Sequence, residues 1–147
     1  MDSMDWLILK ILQEDGRISI TDLSKCINLS RSSTSERLAR LFDSGVIERV
    51  GAVVSPSRLG HNVTFYMNIS DIKGSVDQVV KLLKRSPYVT EIHSVIGELN
   101  YIAKASMPSI EMMHPFLGEL IKHCHVVTSI VLDSPLPFRP ITPYDGK

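Results

Sequence analysis

This chain has few cysteines, no net charge and no long apolar run. Each of these absences excludes a class of protein. Only two cysteines, Cys26 and Cys124, occur in 147 residues, which favours reduced thiols over a disulfide framework. Sixteen Lys and Arg residues balance sixteen Asp and Glu residues, so the net charge does not indicate a polyanionic partner. No apolar run approaches the roughly 20 residues that a membrane helix requires, and the acidic start MDSMDW is unlike a signal peptide. We therefore expect a cytoplasmic protein without membrane contact.

Sequence motifs of the common enzyme classes are also missing. The chain has no phosphate-binding glycine loop and no HExxH helix, and no evident base lies near the serines between positions 32 and 35. One pattern, His123-Cys124-His125 with His93 and His114 elsewhere, resembles the start of a zinc site. No second closely spaced pair completes a tetrahedron, and a helix C-terminus with His123 at the negative end of its dipole is the favoured explanation. We predict no catalytic residue, no cofactor and no metal.

Residues 19–42 predict two short helices joined by a tight turn. Ser19 followed by Asp22 fits a helix start. Asn28 suits the left-handed conformation that a turn between two angled helices requires, and Ser30 fits the N-cap of the second helix. Residues 2–15 predict a supporting helix that ends near Gly16. The three helices would share an apolar core of Leu7, Ile8, Ile11, Leu23, Leu38 and Leu41.

The second helix of the pair has one apolar side and one polar, basic side. The apolar side is predicted at Thr34, Leu38, Leu41 and Phe42. On the polar side, arginine can bond a guanine edge or a phosphate, and short hydroxyls allow close approach to both. An ordinary amphipathic helix with a solvated face would have a similar composition. The helix-turn-helix context favours a DNA-reading face made of Ser30, Arg31, Ser32, Ser33, Glu36, Arg37 and Arg40.

The residues after this helix predict extended structure. The run 46–54 is rich in β-branched residues, and Gly51 would permit a turn or a bulge. A strand pair at this position is typical of a wing that rests on the DNA backbone, with Arg49 nearest a phosphate. Arg49 is equally compatible with a solvated strand position. The Pro, Ser and Gly residues that follow predict a linker.

Beyond the linker, the chain predicts a β-α-β-β-α-β order. Val63, Phe65, Met67 and Ile69 alternate with polar residues, which indicates a strand with one buried face. Helices over residues 75–85 and 109–123 alternate with further strands over 89–96, 99–105 and 126–132, which is a ferredoxin-like arrangement. Its second sheet face has no partner within the chain, and apolar residues there, expected at Val89, Val95, Tyr101 and Val131, would form an interface. We infer a homodimer formed sheet to sheet.

The predicted fold class is therefore α+β, with four segments. Residues 1–54 form a winged helix-turn-helix domain, residues 55–61 a linker, residues 62–133 a ferredoxin-like effector and oligomerisation domain, and residues 134–147 an exposed Pro-containing tail.

The sequence resembles the Lrp/AsnC family of transcription regulators over residues 4–133. The resemblance rests on the stretch DWLILKILQEDGRIS at 5–19, on LSRSSTSERL at 29–38, on Gly45-Val46-Ile47, and on Gly97 and Tyr101. It implies the two domains described above, dimers that assemble into tetramers or octamers, and an amino-acid effector bound in a cleft between dimers. Carried over to this chain, the effector-binding residues are Gly97, Leu99, Asn100, Tyr101, Thr128 and Ser129.

This chain departs from the family pattern at three positions. Ser24 and Asn28 stand where a small Ala and a Gly are usual, and both are conservative. Asn100 stands where many members have an acidic residue. An Asp there could pair with the ammonium group of an amino acid, whereas Asn can only hydrogen-bond it. A different small molecule, or none, is therefore open as the effector.

The function expected from these features is sequence-specific DNA binding by a dimer. Two reading helices would enter successive major grooves of an inverted-repeat operator in double-stranded DNA, with half-sites about one helical turn or a multiple of it apart. An effector would act through the oligomeric state. The alternatives are a non-specific architectural DNA-binding protein, or an effector sensor without local gene regulation.

Overall fold

A computed structural model describes residues 1–144, which separate into two compact units. One unit contains Met1–Val53 together with the C-terminal segment that begins at Leu136, and the other contains Val54–Pro135. Residues 145–147, the end of the predicted tail, lie outside the described residues. Within residues 1–144, no helix has the length and apolar character needed to cross a membrane.

The first unit contains the three predicted helices. They are α1 (Ser3–Glu14), α2 (Ile20–Cys26) and α3 (Arg31–Asp43). Each begins at a side-chain N-cap, because Asp2, Ser19 and Ser30 accept backbone N–H groups of the first turns. The predicted helix starts at Ser19 and Ser30 are thus confirmed.

Apolar residues from all three helices form one core. Ile8, Leu23, Ile27, Leu41 and Ile47 are buried, and Leu7, Ile11 and Leu38 pack against them. Every residue of the predicted core is therefore in place, and Ile27 and Ile47 extend it. Phe42 was expected on the same apolar stripe, but its side chain is 40% exposed, because the stripe covers only one side of α3.

A left-handed residue makes the turn between α2 and α3. Asn28 has φ 53°, a conformation that Asn adopts more readily than most residues. The buried Ser24 donates its hydroxyl to the Thr21 carbonyl at 2.8 Å, and its own carbonyl accepts the Leu29 N–H at 3.0 Å. The two departures from the family pattern in this turn therefore leave its polar groups satisfied.

The predicted wing is the main error in this unit. The segment after α3 first closes the helix, because the Ile47 N–H donates to the Leu41 carbonyl at 3.0 Å. Within residues 48–55 no strand is formed, and Gly51 does not adopt a left-handed conformation that would reverse the chain. β-Branched residues favour an extended backbone, but a ladder also requires a partner strand, and none of the described residues supplies one.

The second unit has the predicted β-α-β-β-α-β order. It begins with a short 3-10 helix, Ser57–Leu59, and continues with β1 (Val63–Ser70), α4 (Val76–Arg85), β2 (Val89–Ser94), β3 (Tyr101–Met107), α5 (Met113–Leu120) and β4 (His125–Ile130). The four strands are antiparallel neighbours in the order β2-β3-β1-β4. Pro115 lies in the first turn of α5, where its missing N–H leaves no helical hydrogen bond unmade.

One face of this sheet packs against the helices. Phe65, Met67 and Ile69 of β1 are fully buried, as their alternation predicts, and they pack with Leu83 of α4 and Leu120 of α5. The register pairs Met67 with Ala103 and with Thr128 on its two sides. The side chains of these three residues therefore leave the same face of the sheet.

The opposite sheet face is more polar than the sequence predicts. Val89 and Tyr101 were expected there, but both pack against the helix-side core. Tyr101 pairs with the buried Ile69 and so shares its face. Val89 is turned to the same face because the β2–β3 ladder is irregular between Val89 and Glu91. This face carries instead an ion pair between Lys104 Nζ and Glu91 Oε1 at 3.0 Å. The Lys104 ammonium also lies 5.9 Å from the centre of the Tyr66 ring.

The C-terminal segment is anchored to α1 within the first unit. The Gln13 side chain donates to the Ile141 carbonyl at 3.1 Å and accepts the Ile141 N–H at 2.8 Å. An amide side chain that pairs with both backbone groups of one residue imitates one rung of a β-ladder. The described part of the tail is thus hydrogen-bonded at Ile141, although that side chain is 82% exposed.

Candidate nucleic-acid interface

The outer face of α3 presents a mixed set of charges and hydroxyls to solvent. At about 100° per residue, Ser32 and Glu36 lie opposite the buried Thr34 and Leu41, and both are exposed. Arg40 is also exposed and flanks this face, and Arg31 is exposed as the first residue of the helix. A shallow groove of about 480 Å³ runs along the helix and is lined by Ser33, Glu36, Arg37, Ala39 and Arg40. Three of the predicted reading residues, Ser32, Glu36 and Arg40, therefore lie on one accessible surface, and Arg31 is exposed at the N-terminal tip of the helix.

The N-terminal tip of α3 holds its hydroxyls in a local network. Ser30 Oγ accepts the Ser33 N–H at 3.1 Å, and it lies 2.9 Å from Ser33 Oγ and 3.0 Å from Ser32 Oγ. Ser30 is thereby committed to capping the helix, whereas Ser32 remains exposed. The tip combines free backbone N–H groups with small side chains, an arrangement that lets a phosphate approach closely.

Arg37 differs from the other predicted reading residues. Its position, about 60° from Thr34 on the helical wheel, places it at the edge of the inner side of α3, and its side chain is only 22% exposed. Nη1 lies 2.7 Å from a carboxylate oxygen of Asp2 and 2.7 Å from one of Asp5. Sequence reasoning identified Asp2 as a helix cap but missed both pairings, because the partners are 35 and 32 residues away.

Arg49, the predicted backbone contact, is exposed in the extended segment after α3. No strand pairing holds it in a wing within the described part of the chain. Its proposed role therefore depends on the reach of its own side chain.

The residues carried over as effector-binding fall into two groups in the second unit. Gly97, Leu99 and Asn100 form the connection between β2 and β3, next to Tyr101. Gly97 has φ 132°, and no atom beyond its own residue and its chain neighbours lies within 4 Å of the position that a Cβ would take. The Asn100 backbone is tied down, since its N–H donates to the Ile69 carbonyl at 2.8 Å, while its side chain is exposed. This connection is open and accessible.

The second group, Thr128 and Ser129, lies on the edge strand β4. Thr128 pairs with Met67, and Ser129 pairs with Tyr66. Tyr101 lies on the other side of β1, opposite Ile69, which separates the two groups by two strand spacings, about 10 Å. Within one protomer the two groups are therefore not on adjacent strands.

The histidine and cysteine cluster has a structural explanation. Cys124 is buried, and its thiol donates to the Leu120 carbonyl at 3.2 Å. Burial raises the pKa of the Cys124 thiol, which disfavours the thiolate form that binds metal. Among residues 1–144, no three His, Cys, Asp or Glu side chains are placed to hold a metal ion.

Comparison with known proteins places this geometry in a family. Residues 1–41 match the AsnC-type helix-turn-helix domain, and residues 64–141 match the Lrp/AsnC ligand binding domain. The chain belongs to the Lrp/AsnC family. Lrp/AsnC relatives include the HTH-type transcriptional regulator FL11 of Pyrococcus furiosus, which is 32% identical over 117 residues that cover 80% of this chain and 78% of the relative.

Two further Lrp/AsnC proteins bear on the function. The proline dehydrogenase transcriptional activator of Rhizobium radiobacter is 33% identical over 124 residues, covering 82% of this chain and 80% of the relative. A transcriptional regulator of Neisseria meningitidis, solved in complex with L-Met, has a TM-score of 0.86 at 26% identity and covers 96% of both chains. The Lrp/AsnC family is one of DNA-binding transcriptional regulators and not of enzymes.

Proposed function

We propose that this Lrp/AsnC chain is a sequence-specific transcriptional regulator whose α3 reads the major groove of double-stranded DNA. The observation that carries the proposal is the exposed outer face of α3, on which Ser32, Glu36 and Arg40 follow an N-terminus capped by Ser30. Arg31 and Arg40 supply bidentate donors for guanine or phosphate, and Glu36 accepts from cytosine. Ser33 at the helix tip and Arg49 beyond α3 contact the DNA backbone.

Reading an operator in this way requires two copies of the chain. A homodimer places two α3 helices in successive major grooves, so the operator is an inverted repeat with half-sites about one helical turn or a multiple of it apart. The face of the sheet that carries Tyr66, Lys104 and Glu91 is the proposed dimer surface. Its support is that Tyr66 and Val127 are 39% and 50% exposed there and that a Lys–Glu pair can contribute to a self-complementary interface.

A small, amino-acid-like molecule is the proposed effector of this regulator, and assembly into tetramers or octamers completes its site. Gly97, Leu99, Asn100 and Tyr101 of one protomer would face Thr128 and Ser129 of another. The separation of these two groups within one protomer supports a site shared between copies. Asn100 replaces ionic recognition of an ammonium group by a neutral hydrogen bond, so the affinity for a free amino acid is expected to be modest.

Selection of duplexes from a random DNA pool by the purified protein tests this proposal. The expected result is an enriched inverted repeat with half-sites spaced by a whole number of helical turns. An unselective pool together with a steep dependence of binding on salt would instead identify a non-specific architectural protein. Repeating the selection with pooled amino acids separates that outcome from a regulator that binds its operator only with effector. A chain that binds no duplex under either condition would refute the proposed function and leave a sensor without DNA binding.

A further inference from the structure

The two helix-capping carboxylates of α1 are joined to α3 by one guanidinium. Asp2 Oδ1 accepts the N–H groups of Met4 and Asp5 at 2.9 and 3.0 Å, and Asp5 Oδ2 accepts the Asp2 N–H at 3.0 Å. These bonds form a reciprocal capping box. The remaining carboxylate oxygens, Asp2 Oδ2 and Asp5 Oδ1, both bind Arg37 Nη1 at 2.7 Å. We call Asp2, Asp5 and Arg37 the N-terminal clamp.

The clamp uses up the donors of one guanidinium nitrogen. Nη1 carries two hydrogens, and each has a carboxylate acceptor at a short, charge-assisted distance. The Asp5 side chain is only 10% exposed, so solvent screens its ion pair less than a surface pair. Two carboxylates raise the pKa of Arg37, and hydrogen bonds to the capping box and to Arg37 lower the pKa values of Asp2 and Asp5. The charged form of all three groups is therefore favoured.

The charge of the clamp does not suit a phosphate contact. Two carboxylates and one guanidinium sum to a net charge of about −1, so the cluster repels a phosphate more than it attracts one. Arg40, one helical turn further along α3, is exposed, and among residues 1–144 no carboxylate lies within ion-pair distance of it. The two arginines of the same helix thus have opposite electrostatic surroundings.

We propose that Arg37 is a positioning residue, which fixes α3 against the N-terminus of α1 and so sets how the reading face meets the base edges. This inference rests on the proposed function and assigns Arg37 a role different from direct DNA contact. The clamp spans the first turn of α1 and the middle of α3, where an ion pair resists both sliding and rotation of the helix. Discrimination between operator and random DNA then depends on three residues that touch no DNA.

The experiment compares R37Q, D5N, the double variant and R37K with R40Q as the matched control. Duplex binding is measured against salt for the selected operator and for a random duplex. We expect R37Q, which removes both ion pairs, to reduce the operator-to-random affinity ratio about tenfold, and D5N, which leaves the Asp2 pair, to reduce it less. The double variant should be no worse than R37Q, because R37Q already breaks the contact that D5N weakens. R37K keeps one ion pair and should restore part of the ratio. The ratio cancels the general gain in DNA attraction that follows from removing an acidic charge.

The salt dependence decides between positioning and contact. Loss of one phosphate contact lowers the slope of log K against log salt by about 0.9, and this is expected for R40Q but not for R37Q. A slope reduced in R37Q as in R40Q, or an operator-to-random affinity ratio raised by D5N because the guanidinium is freed, would overturn the proposal.

A measurement without DNA keeps the inference separate from the proposed function. Trp6, the only tryptophan, follows Asp5 directly, so its fluorescence reports unfolding at the clamp. R37Q and D5N should lower the thermal midpoint non-additively; unchanged midpoints would refute the clamp itself. If the wild-type protein bound no duplex while the midpoints still showed coupling, the proposed function would fail and the clamp would stand.

Discussion

Replacing Asn28 tests whether the left-handed turn sets the stability of the DNA-reading unit. Asn28 is exposed with φ 53°, so neither Ala nor Gly meets a steric obstacle, and the backbone conformation decides the outcome. For Ala the backbone strain of this conformation costs about 1–2 kcal/mol of stability, whereas Gly adopts the conformation without strain. Ala offsets about 0.4–1 kcal/mol of this cost by restricting the unfolded chain. The strain is the larger effect, so N28A should be less stable than N28G by about 1 kcal/mol.

The assay is thermal unfolding of the full chain followed by Trp6 fluorescence, since Trp6 lies in the same unit. A difference of about 1 kcal/mol corresponds to roughly 4–8 °C in the midpoint for a domain of 60–100 residues. Lys10 is an exposed position within α1 and provides a control of opposite sign: K10A should exceed K10G by about 1 kcal/mol. If N28A equalled or exceeded N28G while the Lys10 pair behaved as expected, the strain argument would be wrong.

Three further perturbations address the other parts of the chain. F65A removes a fully buried side chain and should cost about 3–5 kcal/mol in urea unfolding, while F138A, which removes an exposed ring of the other unit, should cost much less. The pKa of Asp5 is lowered from 3.8 by the Asp2 N–H and by Arg37; its contribution to stability is therefore present above pH 3.8 and is lost as the pH falls through the lower folded value. Between about pH 5 and pH 2 the thermal midpoint of D5N should therefore fall less than that of the wild-type protein. An identical pH profile for the two proteins would contradict this. K104E places a second carboxylate beside Glu91 and should dissociate the proposed dimer, as measured by the mass from light scattering; an unchanged mass would exclude this sheet face as the interface.

Local features of the fold were predictable from the sequence because their causes lie within a few residues. Ser30 caps the next turn, Asn28 tolerates its own backbone angle, and the alternation from Val63 to Ile69 follows from the two-residue period of a strand. Each of these predictions needed no knowledge of distant segments. The order of strands and helices followed from them, as did the ferredoxin-like topology.

The errors concern residues whose environment is set by distant partners. The ion pairs of Arg37 were not predicted, because its carboxylate partners lie 35 and 32 positions away; a DNA contact by Arg37 remains a prediction. Val89 was assigned to the open sheet face, since the irregular ladder that orients β2 cannot be deduced from composition. Tyr101 was assigned there too, but its pairing with the buried Ile69 turns it to the helix side. The run 46–54 has the propensity of a strand, but a strand forms only where another backbone completes the hydrogen bonds. The effector and DNA-contact residues remain predictions that the experiments above test.

The hydrogen bonds between Gln13 and Ile141 connect residues 128 positions apart in the sequence. A ribosome makes α1 before the sheet domain and the anchored segment after it. The reading unit can therefore build its helical core during synthesis, but it cannot form the Gln13–Ile141 hydrogen bonds until the sheet domain has emerged. Closing so long a loop carries an entropic cost that depends only weakly on length once the intervening chain has folded. Completion of the DNA-reading unit is thereby coupled in time to folding of the domain proposed to sense the effector, and a nascent or truncated chain would present α1 without this contact.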